Sequence, residues 1–543
     1  MVRPAPSSSG LTVEAAATSQ ANGIASRSPH VARHVFRSIL FPPGVEAAED
    51  WATDQPSCFR DLNLDQVTAA IRAERKEYEL RPFLYTPSRD PAVAYYRQEV
   101  FRDLEKGPAA GHVVAFSDNL RRVKQELAYA AQSRFRHHRH IVILDAIETY
   151  CAALAQLDDG LSAVALESEG LMAVRTFVRL HRESEAVQWL MGESAEIRTE
   201  LTGIRYATLI KPGRVVVRRY DGEPDYSAKI RALFDRFRTK ASKSYLIKFP
   251  DSWMNDVESS ILELVARLFP KVFARLDRFV AASGDLVDAT IDRFDREVQF
   301  YLAYLRFIAP IKAAGLPFCY PEVPIGRREF SSEGGFDIAL ASKVAAKGRP
   351  VVGNDARLQG KERIFVVSGP NQGGKTTFAR TFGQLHYLAA LGCPVPGQSA
   401  RILLPDRVFT HFERREDIAT LRSKLEDDLV RIRDIYTAAT SESVIVLNEI
   451  FNSTPLQDQI LLSCKVIEGT LRLGAYALCV SFIDELASLS PEIVSMVATV
   501  DPGNLAARTF RIVRRPADGL AYAMSLAEKH GVTHALLLNR LKR

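Results

Sequence analysis

Eight residues, Gly369-Pro370-Asn371-Gln372-Gly373-Gly374-Lys375-Thr376, carry the spacing G-x-x-x-x-G-K-[ST], and Thr377 follows them. This spacing suits the capture of a polyphosphate. The glycines let the backbone curl until successive N–H groups point inward at an anion. Lys375 is long enough to reach β- and γ-phosphates, and the Thr376 hydroxyl can ligate Mg²⁺. The surroundings agree with the string. The apolar run Ile364-Phe365-Val366-Val367 predicts a buried strand feeding the loop. Residues Thr377 to Leu391 predict the helix whose positive N-terminal end faces the anion. The chain is expected to bind a nucleoside triphosphate.

Such a loop needs a second strand that ends in acids. Val444-Ile445-Val446-Leu447-Asn448-Glu449 supplies it, about 70 residues further on. Glu449 is the candidate general base, placed to orient and deprotonate an attacking water. Asn448 stands where the metal-holding residue is normally Asp. Its amide oxygen can still accept a bond from a metal-bound water, but it carries no charge. Losing a unit charge about 4 Å from a cation forfeits on the order of several kcal/mol of direct attraction before solvent compensates. Weaker Mg²⁺ binding or slow hydrolysis is therefore expected. A third run, Arg422-Ser423-Lys424-Leu425-Glu426-Asp427-Asp428-Leu429, has Ser423 three residues before Glu426. Taken alone it is a capping box opening a solvated helix.

These groups need a scaffold, and the chain has ample material for one. Its 543 residues suggest more than one domain, and 47% hydrophobic with 25% charged residues is an ordinary globular composition. No stretch offers 18 uninterrupted apolar residues, so no transmembrane helix and no membrane partner are expected. The six cysteines are scattered without a CxxC pair, which fits reduced thiols in a cytoplasmic protein. Residues 1–340 hold 45 basic and 45 acidic side chains, and residues 341–543 hold 26 and 20. That balance permits nucleic-acid binding without demanding it.

Residues 1–45 read as a Ser/Ala-rich disordered tail. Their Arg- and Ser-rich, acid-poor start also resembles a transit peptide, though without an amphipathic stripe. Residues 46–340 read as mostly helical, with clear periodicity over Asp65–Leu80, Ser117–Ala131, Ile141–Leu157, Asn255–Ala281 and Asp285–Ile311. The last two are expected as long, lever-like helices. Tyr206–Ile210 and Val215–Tyr220 flank Pro212-Gly213 and predict a β-hairpin bearing Lys211, Arg214, Arg218 and Arg219. That tip could touch nucleic-acid phosphates, or be a solvated edge guarded by charge. Gly315–Gly360 reads as a connector rich in Pro and Gly. Residues 341–543 then alternate strand and helix, giving an α+α/β chain.

Together these motifs resemble the MutS family of DNA mismatch-repair ATPases. The family's loop GPNMGGK[ST]T is similar to GPNQGGKTT here, with Gln372 in place of Met. Gly392-Cys393-Pro394-Val395-Pro396-Gly397 is similar to its G-x-x-V-P-A, and Asp406-Arg407-Val408-Phe409-Thr410 to its D-R-I-F-T. Residues Arg422–Leu429 line up with its R-S-T-F-x-x-E-M. The resemblance implies ATP and Mg²⁺ as cofactors and a homodimer joined through the ATPase domains. It makes Ser423 a contact to the γ-phosphate held by the partner subunit. It places Asn354, from an Asn-Asp pair, near the adenine. The hairpin at 206–220 would occupy the place of the family's DNA clamp, with duplex or branched DNA as the partner.

The departures are as informative. None of the 28 phenylalanines begins a Phe-x-Glu wedge, and the stretch before the helices is too short for mismatch and connector domains. Where the family has a Thr-His pair that senses the γ-phosphate, the strand here reads Val480-Ser481-Phe482. A slow DNA-repair ATPase without mismatch reading is the first expectation. An ATP-gated scaffold with a protein partner is the second, and a small-molecule kinase a weaker third.

Overall fold

The structure is a computed structural model. It describes residues 36–45, 51–73, 75–212, 214–223, 255–326, 328–344, 347–413, 423–501 and 503–517. Residues 1–35 of the expected tail lie outside that set. The tail does not extend to residue 45, because Phe36, Ile39 and Leu40 are buried. Tyr301 donates to Ile39 O (2.6 Å), Ile39 N donates to Glu297 Oε2 (3.0 Å), and Arg97 Nε donates to Leu40 O (3.0 Å). A short apolar trio inside a Ser-, Arg- and Pro-rich stretch is too brief to show as periodicity.

Two long antiparallel helices, Ala109–Gln132 and Arg136–Ser162, form the centre of the helical part. Val113, Phe116, Leu120 and Val123 on the first, and Ile147, Tyr150, Leu154, Leu157 and Leu161 on the second, are buried at three- and four-residue steps. The three-residue link between the helices makes them antiparallel neighbours. Helix Arg136–Ser162 is long and apolar enough to cross a membrane by length and composition, which a search for uninterrupted runs did not anticipate. Burial of 56% of its most apolar stretch within this fold accounts for that character.

The expected single helix over 255–281 is two, Asp256–Leu268 and Pro270–Ala282. Pro270 lacks an N–H and pushes Phe269 out of the helical region (φ −124°, ψ 55°), so the helix must break there. Asn255 and Glu258 form a reciprocal capping box at the first of them. His137 and His140 tie this pair to helix Arg136–Ser162 through Glu263 (2.5 Å) and Asp277 (2.7 Å). Helix Ala289–Ala313 presents Ile291, Phe294, Val298, Leu302 and Ile308 to the core, and carries Pro310 in its last turn. Strands β1 (Tyr206–Lys211) and β2 (Arg214–Arg219) form the hairpin, with Tyr206 opposite Arg219.

The connector expected at 315–360 is largely structured. It contains β3 (Phe318–Cys319), β4 (Phe330–Gly335), helix Ile338–Val344 and β5 (Asn354–Leu358). The boundary placed at residue 340 therefore cuts a helix. Strand β4 pairs on one side with β5 and on the other with β8 (Ser399–Arg401), while β3 pairs with β7 (Val395–Pro396). Phe-Ser-Ser-Glu-Gly-Gly has no alternation that would announce β4 as a strand.

The main sheet has the order β13-β12-β6-β11-β10-β9. Its strands are β6 (Ile364–Ser368), β9 (Val408–Phe412), β10 (Val444–Asn448), β11 (Tyr476–Val480), β12 (Ile493–Asp501) and β13 (Asn504–Arg514). All neighbours are parallel except β12 and β13. Both faces are covered, so β6, β10 and β11 are buried throughout and apolar except for Ser368 and Asn448 at their carboxyl ends. Phe365 and Val367 face helix Lys375–Ala390, while Ile364 and Val366 face Ile432, Ile435 and Ile467 of helices Lys424–Ala438 and Leu456–Leu473. Strand order reverses around β6, so a crevice opens beyond its carboxyl end, the usual place for a ligand in such sheets. A polar junction joins this sheet to the helical part. Thr410 donates to Asp61 Oδ2 (2.7 Å), Arg380 to Asp61 O (3.0 Å) and Gln384 to Leu62 O (2.8 Å).

Candidate nucleotide site

The loop leaves β6 at Ser368 and enters helix Lys375–Ala390 at Gly374. Gly369 has φ +113°, and a Cβ there would stand 2.8 Å from the Ala498 carbonyl oxygen. Gly374 has φ +95° at the N-cap and offers no side-chain cap. The first-turn N–H groups of the helix are thus left for a ligand. Gln372, in the position where the resembling loops carry Met, also takes a left-handed φ of +60°.

Lys375 is 4% exposed. Its Nζ donates to Gly369 O (2.9 Å) and Pro370 O (3.1 Å), and lies 4.3 Å from the Phe482 ring centroid. Burial lowers its pKa to about 8; the Glu449 charge opposes this and the Arg508 charge adds to it. Thr376 donates its hydroxyl to Asn448 Oδ1 at 3.0 Å, so the loop and the second strand meet. Glu449 has φ +55°, and its N–H donates to Val480 O (2.9 Å). A non-glycine residue with that φ right after a buried strand is held there by its surroundings. Asn452 Nδ2 stands 3.5 Å from Glu449 Oε2, and Gln459 donates to Asn452 Oδ1 at 2.8 Å.

The loop borders a cleft of about 460 Å³. Asn371, Gln372, Gly373, Gly374, Thr376, Thr377 and Glu449 are among its lining residues. Leu340, Val344, Val351, Val352 and Phe510 add apolar wall, which suits the flat body of a base. Asn354 also lines the cleft, but its amide is engaged by the backbone. Nδ2 donates to Phe510 O (3.2 Å), and Ile512 N donates to Oδ1 (2.7 Å). Its visible work is to fasten β13 beside the loop, where Arg508 Nε donates to Asn371 O (3.0 Å). Phe510 and Arg508 were missed from the sequence, because nothing in Arg-Thr-Phe-Arg-Ile says which strand it will pair with. Phe482 was noted only as a missing histidine, not as a partner of Lys375.

Ser423 caps helix Lys424–Ala438 by accepting from Glu426 N at 3.3 Å, and is not among the cleft residues. Arg422, from the same motif, lies outside the described residues. At the hairpin, Arg218 pairs with Glu223 (2.7 Å), and Arg219 donates to Leu268 O (2.8 Å) over the Phe269 ring.

Residues 365–537 match the family model described as MutS domain V. The chain is 28% identical over 327 residues to the DNA mismatch repair protein MutS of Chlorobium phaeobacteroides, covering 59% of this chain and 35% of that protein. It is 26% identical over 317 residues to that of Lachnoclostridium phytofermentans, with 55% and 34% covered. Similarity to MutS proteins thus includes residues 365–537, which match MutS domain V. The chain spans about a third of the length of these MutS relatives. The MutS domain V match takes in the loop from β6 onward, Ser423, Asn448, Glu449 and β13. The match to the Chlorobium MutS is longer than domain V, so likeness to MutS proteins extends beyond the nucleotide sheet.

Proposed function

We propose that this chain is a MutS-like ATPase that binds ATP with Mg²⁺ in the cleft, hydrolyses it slowly, and pairs through its ATPase domains as a clamp on duplex or branched DNA. The observation that carries the reading is the 3.0 Å bond from Thr376 to Asn448, which joins loop and second strand at the carboxyl edge of a parallel sheet. Gly369, Pro370, Asn371, Gln372, Gly373 and Gly374 would cradle the phosphates, and Lys375 would neutralise the β and γ groups. Thr376 and Asn448 would hold the metal. Their two oxygens suit a hard cation, yet both are neutral, so the metal would come with the phosphates rather than bind alone. Glu449 would take the proton of the water that attacks the γ-phosphorus, releasing ADP and phosphate.

Ser423 would complete the site of the partner subunit, which makes association and ATP occupancy thermodynamically linked. Nucleotide-driven closure would be passed to the helical part through the Asp61 junction, and the hairpin would meet DNA with Arg214. Mismatch reading through a Phe-x-Glu wedge is not part of the proposal. Binding of labelled duplex, mismatched and branched DNA across a salt series tests it. A steep fall in affinity with salt, steeper with ATP, is expected; no binding at low salt would overturn the DNA part. A second reading, a scarcely hydrolysing ATP-dependent scaffold for a protein partner, is favoured by the neutral Asn448 and by Phe482 on the loop lysine.

A further inference from the structure

The ammonium of Lys375 is engaged by its own chain. It has three N–H directions. Two are spent on the carbonyls of Gly369 and Pro370, and the Phe482 ring covers the group from 4.3 Å. Phe482 is fixed there by the backbone on either side. It is 48% exposed and belongs to neither apolar core. Its neighbours are pinned: Ser481 N donates to Val367 O (3.1 Å) on the strand that feeds the loop, and Ile483 is buried with its N–H on Ser481 Oγ (3.1 Å). A half-exposed aromatic ring, aimed by an anchored turn at a buried cation, gains a cation–π attraction from it.

We propose that Phe482 is a positioning residue that latches Lys375 onto its own loop, so that a triphosphate must compete with the ring contact as well as with the two carbonyls. The inference rests on the nucleotide reading above and goes beyond it. A latch of this kind stabilises only the arrangement in which the lysine faces its own loop, so it lowers affinity for any ligand that must draw the lysine away. Release of the ring contact on binding would also free Phe482 to move with the end of β11, next to the backbone that holds Glu449.

The test is ATP titration with Mg²⁺ of the full chain and of Phe482→Leu, Phe482→Trp and Lys375→Ala, after thermal melts show each folded. Leucine keeps apolar cover but has no ring quadrupole; tryptophan has a stronger one. Phe482→Leu should bind ATP roughly two- to thirty-fold tighter than the parent, and Phe482→Trp no tighter than the parent. Lys375→Ala should lose binding. Equal or weaker binding by Phe482→Leu, with binding by the parent intact and lost in Lys375→Ala, overturns the latch alone. Absence of binding by every folded protein in the series overturns the nucleotide reading itself.

Discussion

The Thr376 hydroxyl donates to the Asn448 amide oxygen across 3.0 Å, joining the end of the loop to the end of β10. Both oxygens are neutral where a carboxylate would serve a divalent cation better. The charge argument can be checked by restoring it. Asn448→Asp should tighten Mg²⁺-dependent ATP binding by about tenfold and raise turnover, since a carboxylate about 4 Å from the metal adds direct attraction. Unchanged Mg²⁺ dependence and unchanged turnover would sink the argument.

Completion of each site by the partner subunit predicts complementation. Ser423→Ala should cost about 1 kcal/mol of helix stability through the lost cap, leave ATP binding by the loop intact, and abolish most hydrolysis. Lys375→Ala should be inactive for the opposite reason. Mixed in equal amounts, the two inactive proteins should recover about a quarter of parental turnover by random pairing, because half the pairs contain one complete site. No recovery on mixing, or a fully active Ser423→Ala, would contradict completion in trans.

Fold stability should carry a pH signature from the loop helix. His386 is fully buried, lies 4.5 Å from the Phe382 ring and 5.0 Å from the Phe330 ring, and donates Nδ1–H to Phe382 O. Burial lowers its pKa from 6.5 to about 4. The folded value lies below the unfolded one, so its stabilising contribution is complete above about pH 6.5 and is lost as pH falls toward 4. The size is on the order of 3 kcal/mol. The difference in unfolding free energy between parent and His386→Phe should therefore shift against the parent between pH 7 and 4. A difference that stays constant over that range would show that His386 does not titrate on unfolding.

Asn354 fastens β13 to the cleft through two backbone bonds. Asn354→Ala should cost about 1–2 kcal/mol. It should also speed amide exchange at Ile512 and weaken ATP binding, because Arg508 and Phe510 sit on the released strand. Unaltered exchange at Ile512 would mean that β13 is held by its pairing with β12 alone.

The loop, its strand and its helix were legible because each carries a local signature: glycines at fixed spacing, then an apolar run, then helical periodicity. The place of Asn448 and Glu449 at the end of β10 was legible for the same reason. What the sequence hid is what depends on tertiary pairing. Phe510 and Arg508 reach the loop only because β13 turns back antiparallel on β12. Phe36–Leu40 is a core segment with no periodic neighbours, held by Glu297, Tyr301 and Arg97 from distant helices. The division of 255–281 at Pro270 was readable and was overlooked, since an apolar stripe on both sides masks a proline. Strand β4 carries serines and glycines, and only its partners β5 and β8 make it a strand.

The proposed function is that of a slow ATPase whose cycle is read out on DNA. ATP turnover of the purified chain, titrated with duplex, mismatched and branched DNA and with Lys375→Ala as the blank, tests it most directly. Slow hydrolysis without DNA, stimulation by at least one of the three, and none in Lys375→Ala are expected. Turnover indifferent to all three DNAs, or surviving in Lys375→Ala, would contradict the proposed function.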